Sequence, residues 1–408
     1  MECRHCQAAV TLKFADLETS PPSNSYVSTE QMSAPEKWYP LRVFVCAQCW
    51  LVQTEDFAHF AELFSSDYAY FSSFSTSWLE HAERYVGEMT ERLDLDASSN
   101  VIEVASNDGY LLQYVRRRGI PCLGVEPTAS TAAAAREKGI EVVEDFFGVA
   151  LADKLVAQGR SADLTAANNV LAHVPDINDF AAGFARVLKP HGVSTFEFPH
   201  LVRMVEQCQF DTIYHEHFSY LSLTAVETIF SRNGLQVFDV QELPTHGGSL
   251  RVFAQRSDTG TRSRTPTLES LLRREADLGV ASPQYYVGFQ QRADRIKDDL
   301  MAFLIDCKRQ GKRVGAYGAA AKGNTLLNYA GVRSNLLAWV VDRNPAKQGK
   351  FLPGCRIPIV DEAWLQQERP DFILILPWNL SAEVTSQLAY ARAWGAQFVC
   401  AVPQLTIG

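Results

Sequence analysis

The chain has no run of eighteen apolar residues, so it offers no segment long enough to cross a bilayer as a helix. Its opening, "MECRHC", lacks the apolar centre of an export signal, and a cytoplasmic protein without membrane contact is expected. An excess of basic charge is also missing. The 38 Lys and Arg face 47 Asp and Glu, a formal net charge of −9, which argues against nucleic acid as the main partner. A small phosphorylated ligand in a local basic pocket remains compatible with that balance. The P-loop pattern GxxxxGK[ST] is absent, which disfavours ATP hydrolysis, and GxGxxG is absent too. There is no short-period repeat, and the one polar tract is "RSDTGTRSRTPTL" at 256–268, which reads as a linker.

What is present is a chain of 408 residues, too long for one hydrophobic core. Residues 1–70 carry turn formers and aromatics without long periodic runs. From Asn100 an alternation of strand and helix begins. "NVIEVAS", "PCLGVEP", "IEVVED", "ADLTAANNVLAHV" and "GVSTFEFPHL" read as strands, with helices at "GYLLQYVRRRG" and "ASTAAAAREKG". A second series runs through "KRVGAYGAAAKGNTLLNYAG", "LLAWVVDRNP", "DFILILPW" and "QFVCAVP". Apolar strands alternating with amphipathic helices imply a parallel, doubly wound α/β sheet, here twice. The expected bodies are 1–72, 73–258 and 259–408.

Nine cysteines are an odd number, and four of them form two CxxC pairs, Cys3 with Cys6 and Cys46 with Cys49. Two such knuckles suit tetrahedral zinc, because each presents two thiolates to one ion. The 39 residues between them exceed the spacing of common zinc ribbons, so an insertion is expected. A redox CxxC would sit in a thioredoxin-like βαβ pattern, which is not seen. Four cysteine ligands leave no open position, so the expected zinc is structural.

In "VIEVASNDGYL", Glu103 ends a strand and Asn107, Asp108 and Gly109 turn into a helix, where small residues let backbone approach a ligand. Glu126 ends the next strand, 17 residues past Gly109, where a carboxylate can accept both hydroxyls of a ribose. This pattern resembles the class I S-adenosylmethionine methyltransferases. The resemblance implies a cofactor site built from Glu103, Ala105, Asn107, Asp108, Gly109, Tyr110 and Leu111, with Glu126 and Pro127 at the ribose. It places Asp145, Phe146 and Phe147 at the adenine, and Asn168 and Asn169 beside the cofactor. Ala105 departs from the glycine often found there. A nicotinamide cofactor and a ligand-free Rossmann-like domain are the competing readings.

The stretch "FDTIYHEHFSYLS" packs two histidines, two tyrosines and a glutamate between Tyr214 and Tyr220. It reads as a proton-transfer site, a metal site on a strand face, or a segment whose polar groups satisfy each other. The paired CxxC module, "IEVASNDGYL", "DTIYHEHFSYLS" and "GAYGAAAKGNTLLNY", in that order, resemble the sugar C-methyltransferases acting at C3 of nucleotide-linked 4-keto-6-deoxyhexoses. That resemblance spans nearly the whole chain. It implies a class I methyltransferase domain, a second Rossmann-like C-terminal domain and a small N-terminal zinc-binding module, with S-adenosylmethionine and structural Zn2+ as cofactors. It also implies His217 as general base, with Tyr214, Glu216, His173 and Tyr68 around it. Tyr70 is a near-equivalent choice for Tyr68, and the two are not separated by sequence. His246, Gly247 and Gly248 of "THGGSLRVF" belong to the same pattern. The C-terminal domain would grip the nucleotide diphosphate of the sugar through Gly318, Lys322, Asn324, Asp342, Lys347 and Lys350. Surface lysines on a loop are the plain alternative for the last two. Methylation at sugar oxygen or nitrogen, and a non-enzymatic zinc-containing binding protein, remain the rival functions. Oligomeric state, nucleotide base and the C3 substituent are not encoded in any spacing.

Overall fold

The structure, a computed structural model, describes residues 1–57 and 71–408. Tyr68 and Tyr70 lie outside the described residues. Three sheets organise the rest.

The first sheet is antiparallel and runs Leu12–Ser20, Tyr39–Val45, Val52–Thr54, Ser219–Tyr220. Its strands were not legible as periodic runs, yet Leu41, Val43 and Val45 alternate inward at the period of a half-buried strand. The fourth strand arrives from far along the chain, inside "FDTIYHEHFSYLS". Val52 pairs with Tyr220 and Gln53 with Ser219.

The second sheet has seven strands, in the order Leu235–Leu243, Ser249–Arg256, Leu188–Pro199, Ala162–Asn168, Val101–Val104, Cys122–Val125, Val142–Val143. The first two are antiparallel to their neighbours and the rest are parallel. Chain direction across the sheet reverses at Val101–Val104, whose four residues are all buried, so a crevice opens beyond its carboxyl end. The third sheet repeats this scheme in the order Ile359–Val360, Val340–Val341, Val314–Tyr317, Phe372–Ile375, Gln397–Cys400, Thr406–Ile407, antiparallel only at the last pair.

The polar tract at 256–268 is only partly a linker. Thr265 accepts from the Leu268 N–H and Pro266 fills the first helical position, so a helix spans Pro266–Leu278. The next long helix, Phe289–Arg309, buries Phe289, Ala293, Ile296, Leu300 and Leu304 at helical spacing. Phe289 stacks on Phe14 of the first sheet at 4.3 Å. One continuous apolar core thus joins the first sheet, the Leu201–Glu206 helix and the third sheet. The segment carrying His217 lies where all three sheets meet. Among the described residues no helix is long and apolar enough to cross a membrane.

Candidate active site

The second sheet builds a cradle at its reversal point. Gly109 has φ +74°, and a Cβ there would stand 2.3 Å from Ile140 Cδ1, so only glycine fits. Ala105 and Asn107 also sit at positive φ, 57° and 49°. Asn107 is favoured there because its own Oδ1 accepts from the Asp108 and Ser72 N–H groups, each at 2.9 Å. Glu126 accepts from the Asn107 and Thr128 N–H groups, both at 2.9 Å, which holds its carboxylate at the mouth of the cradle. Glu103 is fully buried, and burial pushes its carboxyl well up. The Tyr110 phenol lies alongside, and both Glu103 oxygens lack a hydrogen-bond partner among the described residues. Asn168 donates to Tyr110 Oη at 3.3 Å, and its Oδ1 is likewise unpaired among the described residues. Orphaned buried acceptors around a glycine turn fit a polar, cationic ligand such as the amino-acid end of S-adenosylmethionine.

Other expected cofactor residues take different places. Asp108 is turned to Lys138 at 3.2 Å, and Leu111 is buried in the core behind the cradle. Phe147 packs between Phe180 and Phe184 at 5.8 and 4.6 Å, so it supports the sheet, whereas Phe146 is 56% exposed and open to a ligand. Asp145 is exposed and caps the Phe146 N–H, and Pro127 is exposed beside Glu126. Sequence reading missed Trp78. Its ring lies 5.8 Å from Tyr110 and 5.2 Å from His246, linking the cradle to the next part of the site.

That part is centred on His217. Its Nδ1 lies 2.9 Å from the Thr212 carbonyl, which can only accept, so Nδ1 carries the proton. The neutral ring then has its lone pair on Nε2, which accepts from the Tyr214 hydroxyl at 2.7 Å. Burial first, then His173, holds the imidazole well below its usual 6.5, with the Thr212 carbonyl opposing. The His173 ring is 4.6 Å away, its pKa brought down to about 4 by burial. Glu216 is buried and pushed up to about 7, and Asn24 of the N-terminal module donates to its Oε1 at 3.2 Å. Its Oε2 has no partner among the described residues. His215 points the other way, to the Pro40 carbonyl at 3.3 Å and the Tyr39 ring. No metal cluster forms here among the described residues.

His246 lies between the cradle and His217. It is the αL residue of the 245–248 turn, with φ 55°, and Asn169 Nδ2 lies 3.0 Å from its Nε2. Gly247 packs against Trp378, where a Cβ would stand 2.5 Å from the indole, and Gly248 packs against Arg203. The electrostatic influence of Lys322 reaches both His217 and His246. Three imidazoles, His173, His217 and His246, thus gather with the Tyr214 phenol and Lys322 beside the cradle residues Trp78 and Asn169.

Comparison with known proteins fits this arrangement. Residues 3–64 match the family model described as "Putative zinc binding domain", 78–240 a methyltransferase domain and 244–403 a C-methyltransferase C-terminal domain. The chain is 32% identical over 403 residues to the C-methyltransferase NovU of Streptomyces niveus, covering 99% of this chain and 96% of that one. The chain belongs to the C-methyltransferase family. Its methyltransferase chemistry uses S-adenosylmethionine, and its cysteine cluster binds zinc. Among solved structures, magnesium protoporphyrin IX methyltransferase of Synechocystis PCC 6803 with bound S-adenosylmethionine is similar over 44% of this chain and 79% of that one, at 14% identity and TM-score 0.34. The PH0226 protein of Pyrococcus horikoshii is similar over 50% of this chain and all of that one, at 15% identity and TM-score 0.39.

The zinc module of this C-methyltransferase is built from two matching knuckles. Gln7 N–H donates to Cys3 O and Trp50 N–H to Cys46 O, both at 2.9 Å, and Gln7 and Trp50 share φ near 60°. The four Sγ atoms lie within 4.8 Å of one another, with Cys3–Cys49 and Cys6–Cys46 at 3.5 Å. A tetrahedron with Zn–S bonds of about 2.3 Å has edges of about 3.8 Å, so the set fits zinc. Gln53 donates to Cys3 Sγ at 3.3 Å and is the residue that pairs with Ser219. Arg4 donates to Thr54 O, and the Thr54 hydroxyl donates to the His217 carbonyl. The cysteines therefore brace the segment that carries His217.

In the C-terminal sheet of the C-methyltransferase, Asp342 accepts from the Ala319 and Asn344 N–H groups, both at 2.8 Å. This repeats the Glu126 arrangement at a second reversal point. Gly318 and Gly323 are required by Pro377 and Leu376, which a Cβ would meet at 2.4 and 2.7 Å. Lys347 bonds the Ala319 carbonyl at 2.9 Å and lies over the Tyr26 ring, and Tyr26 donates to the same carbonyl at 2.6 Å. Lys347 and Asp342 are thus engaged in tying the N-terminal module to this domain. Lys350 lies on the same turn. Asn324 is fully buried beside Asn328 and Cys355. Lys322 takes a different place, over the Trp378 ring and bonded to Asn379 at 2.8 Å, on the side of His217.

Proposed function

We propose that this C-methyltransferase adds a methyl group to C3 of a nucleotide-linked 4-keto-6-deoxyhexose by way of an enolate. The observation that carries this reading is the tautomer of His217. The Thr212 carbonyl holds the proton on Nδ1, which leaves Nε2 as a lone pair in a neutral ring. Abstraction from a carbon acid needs such a base, and a ketone at C4 acidifies the C3–H bond enough for it.

In this reading the C3–H bond breaks, the proton goes to Nε2, and the electron pair becomes the C3–C4 double bond with negative charge on the C4 oxygen. Tyr214 then turns its hydroxyl from Nε2 to that oxygen, and Lys322 supplies positive charge nearby. The imidazolium and the enolate form together, so each offsets the other's burial. S-adenosylmethionine, when bound, supplies a methyl group on a positively charged sulfur. Glu103, Asn107, Glu126, Asn168 and Asn169 are the residues that would hold it, and transfer to C3 would leave S-adenosylhomocysteine. His173 and Glu216 flank the base, and Glu216 accepts from a hydroxyl or amino group of the sugar. Tyr68 or Tyr70 completes the pocket from the N-terminal module. The functional bodies are 1–72, 73–258 and 259–408, the last gripping the nucleotide.

The test is incubation with S-adenosylmethionine and a set of dTDP- and GDP-linked 4-keto-6-deoxysugars, read by mass spectrometry. Gain of one methyl on carbon, located by fragmentation, is expected. Methylation on oxygen or nitrogen, or no transfer to any 4-keto sugar, would overturn the reading.

A further inference from the structure

Shortly before His217, the two residues that flank Thr212 are held by the C-terminal domain. Asp211 is wholly buried and its Oδ2 accepts from the Trp378 indole N–H at 2.7 Å. Thr212 presents the carbonyl that bonds His217 Nδ1. Ile213 presents a carbonyl that accepts from the Thr325 hydroxyl at 2.9 Å. Thr212 is anchored on one side, its N–H and hydroxyl both donating to the Gln209 carbonyl at 3.1 and 2.7 Å, and the grips on Asp211 and Ile213 set the orientation of its carbonyl from the other. Trp378 is itself fixed on three sides. Lys322 lies over its face at 4.8 Å, Gly247 packs on its edge, and its backbone N–H donates to Leu376 O at 2.9 Å.

We propose that Trp378 and Asp211 are positioning residues that set the proton of His217 on Nδ1, so that the C-terminal domain determines whether the base is competent. The inference rests on His217 being the base of the proposed reaction. Physically, the indole N–H is the described donor to the Asp211 side chain. Without it a buried carboxylate loses its indole donor, and the short 210–212 turn, still bonded to Gln209, can shift to find the carboxylate another partner. The Thr212 carbonyl then leaves Nδ1, and the ring proton can move to Nε2. A ring protonated on Nε2 donates to Tyr214 instead of accepting, and it has no lone pair to offer a carbon acid. Burial pushes Asp211 up to about 6, with the charge of Lys322 and then the Trp378 indole opposing it.

The experiment uses full-length zinc-loaded protein carrying 15N-histidine, with long-range 1H–15N correlation spectra recorded near pH 7. The His217 signals are assigned by their loss in His217→Gln. The wild type is expected to show His217 protonated at Nδ1. Trp378→Phe, which keeps the ring and removes the N–H, is expected to give a mixture of both tautomers. It should lower kcat by about tenfold to a hundredfold with little change in KM for the sugar. Asp211→Asn keeps an oxygen acceptor for the indole and should retain the wild-type pattern. If Trp378→Phe does not fold, Asp211→Ala reads the same coupling from the other side. A folded Trp378→Phe or Asp211→Ala that keeps the Nδ1 pattern overturns the proposal, as does a wild type protonated at Nε2. The tautomer readout needs no substrate, so its failure is separable from failure of the sugar reading.

Discussion

Single side chains in the pocket make opposing contributions to pH dependence. Glu216 has its folded-state pKa raised to about 7 by burial, against 4.5 in the unfolded chain. The folded state therefore binds more protons between those values, and Glu216 contributes stability that is lost as pH rises through that window. Replacing it by Gln removes this contribution. Urea unfolding of wild type and Glu216→Gln should show the wild type gaining on the variant as pH falls from about 7 to about 4.5, by about 3 kcal/mol or less. A constant difference across that range would contradict the assignment. At the cofactor cradle, Gly109→Ala would combine a left-handed φ with a collision at Ile140. Affinity for S-adenosylmethionine, measured by calorimetry, should fall at least about tenfold, since about 1.4 kcal/mol of misplacement suffices. Much of this was readable beforehand. The order of Glu103, Gly109 and Glu126 comes from local turn chemistry, which a sequence displays directly. Trp78, Asp211 and Trp378 were not read, because their roles arise from contacts between distant segments.

Strands and helices show where sequence reading reached its limit. The βα alternation after Asn100 was visible as period and punctuation, and the parallel strands at 101–104, 122–125, 142–143, 162–168, 314–317, 340–341, 372–375 and 397–400 fall within the expected stretches, whereas Leu188–Pro199 starts four residues early and the strands at 235–243, 249–256, 359–360 and 406–407 were not expected. The first sheet was hidden because its strands are joined by long irregular loops and its last strand comes from residues 219–220. "FDTIYHEHFSYLS" looked ambiguous because half of its order is supplied by the zinc module. That dependence is testable. Cys46→Ser should abolish zinc retention, measured by metal analysis, and should release the Gln53–Ser219 and Thr54–Phe218 pairing. Amide exchange at 217–221 should then speed up while the second sheet stays protected. Equal protection with and without zinc would show that the module is independent of the site.

Contacts between the three sheets show that His217 is placed by parts that no local pattern links. Tyr26, from the N-terminal module, and Lys347, from the third sheet, share the Ala319 carbonyl. Tyr26→Phe removes one buried donor and should lower stability by about 1 kcal/mol, read by denaturant midpoint, with the zinc still bound. An unchanged midpoint would show that Lys347 alone suffices. The acidic net charge argued against nucleic acid as the main partner but could not reveal that a half-buried cation, Lys322, stands beside His217. The central claim is that His217 takes a proton from the carbon to be methylated. The most direct test is to incubate enzyme and the accepted 4-keto nucleotide sugar in deuterated water with S-adenosylhomocysteine in place of the methyl donor, and to follow C3 by mass spectrometry and proton NMR. Wild type is predicted to exchange the C3 hydrogen, and His217→Ala to exchange it about 100-fold or more slowly. Equal exchange by the two proteins would contradict the account.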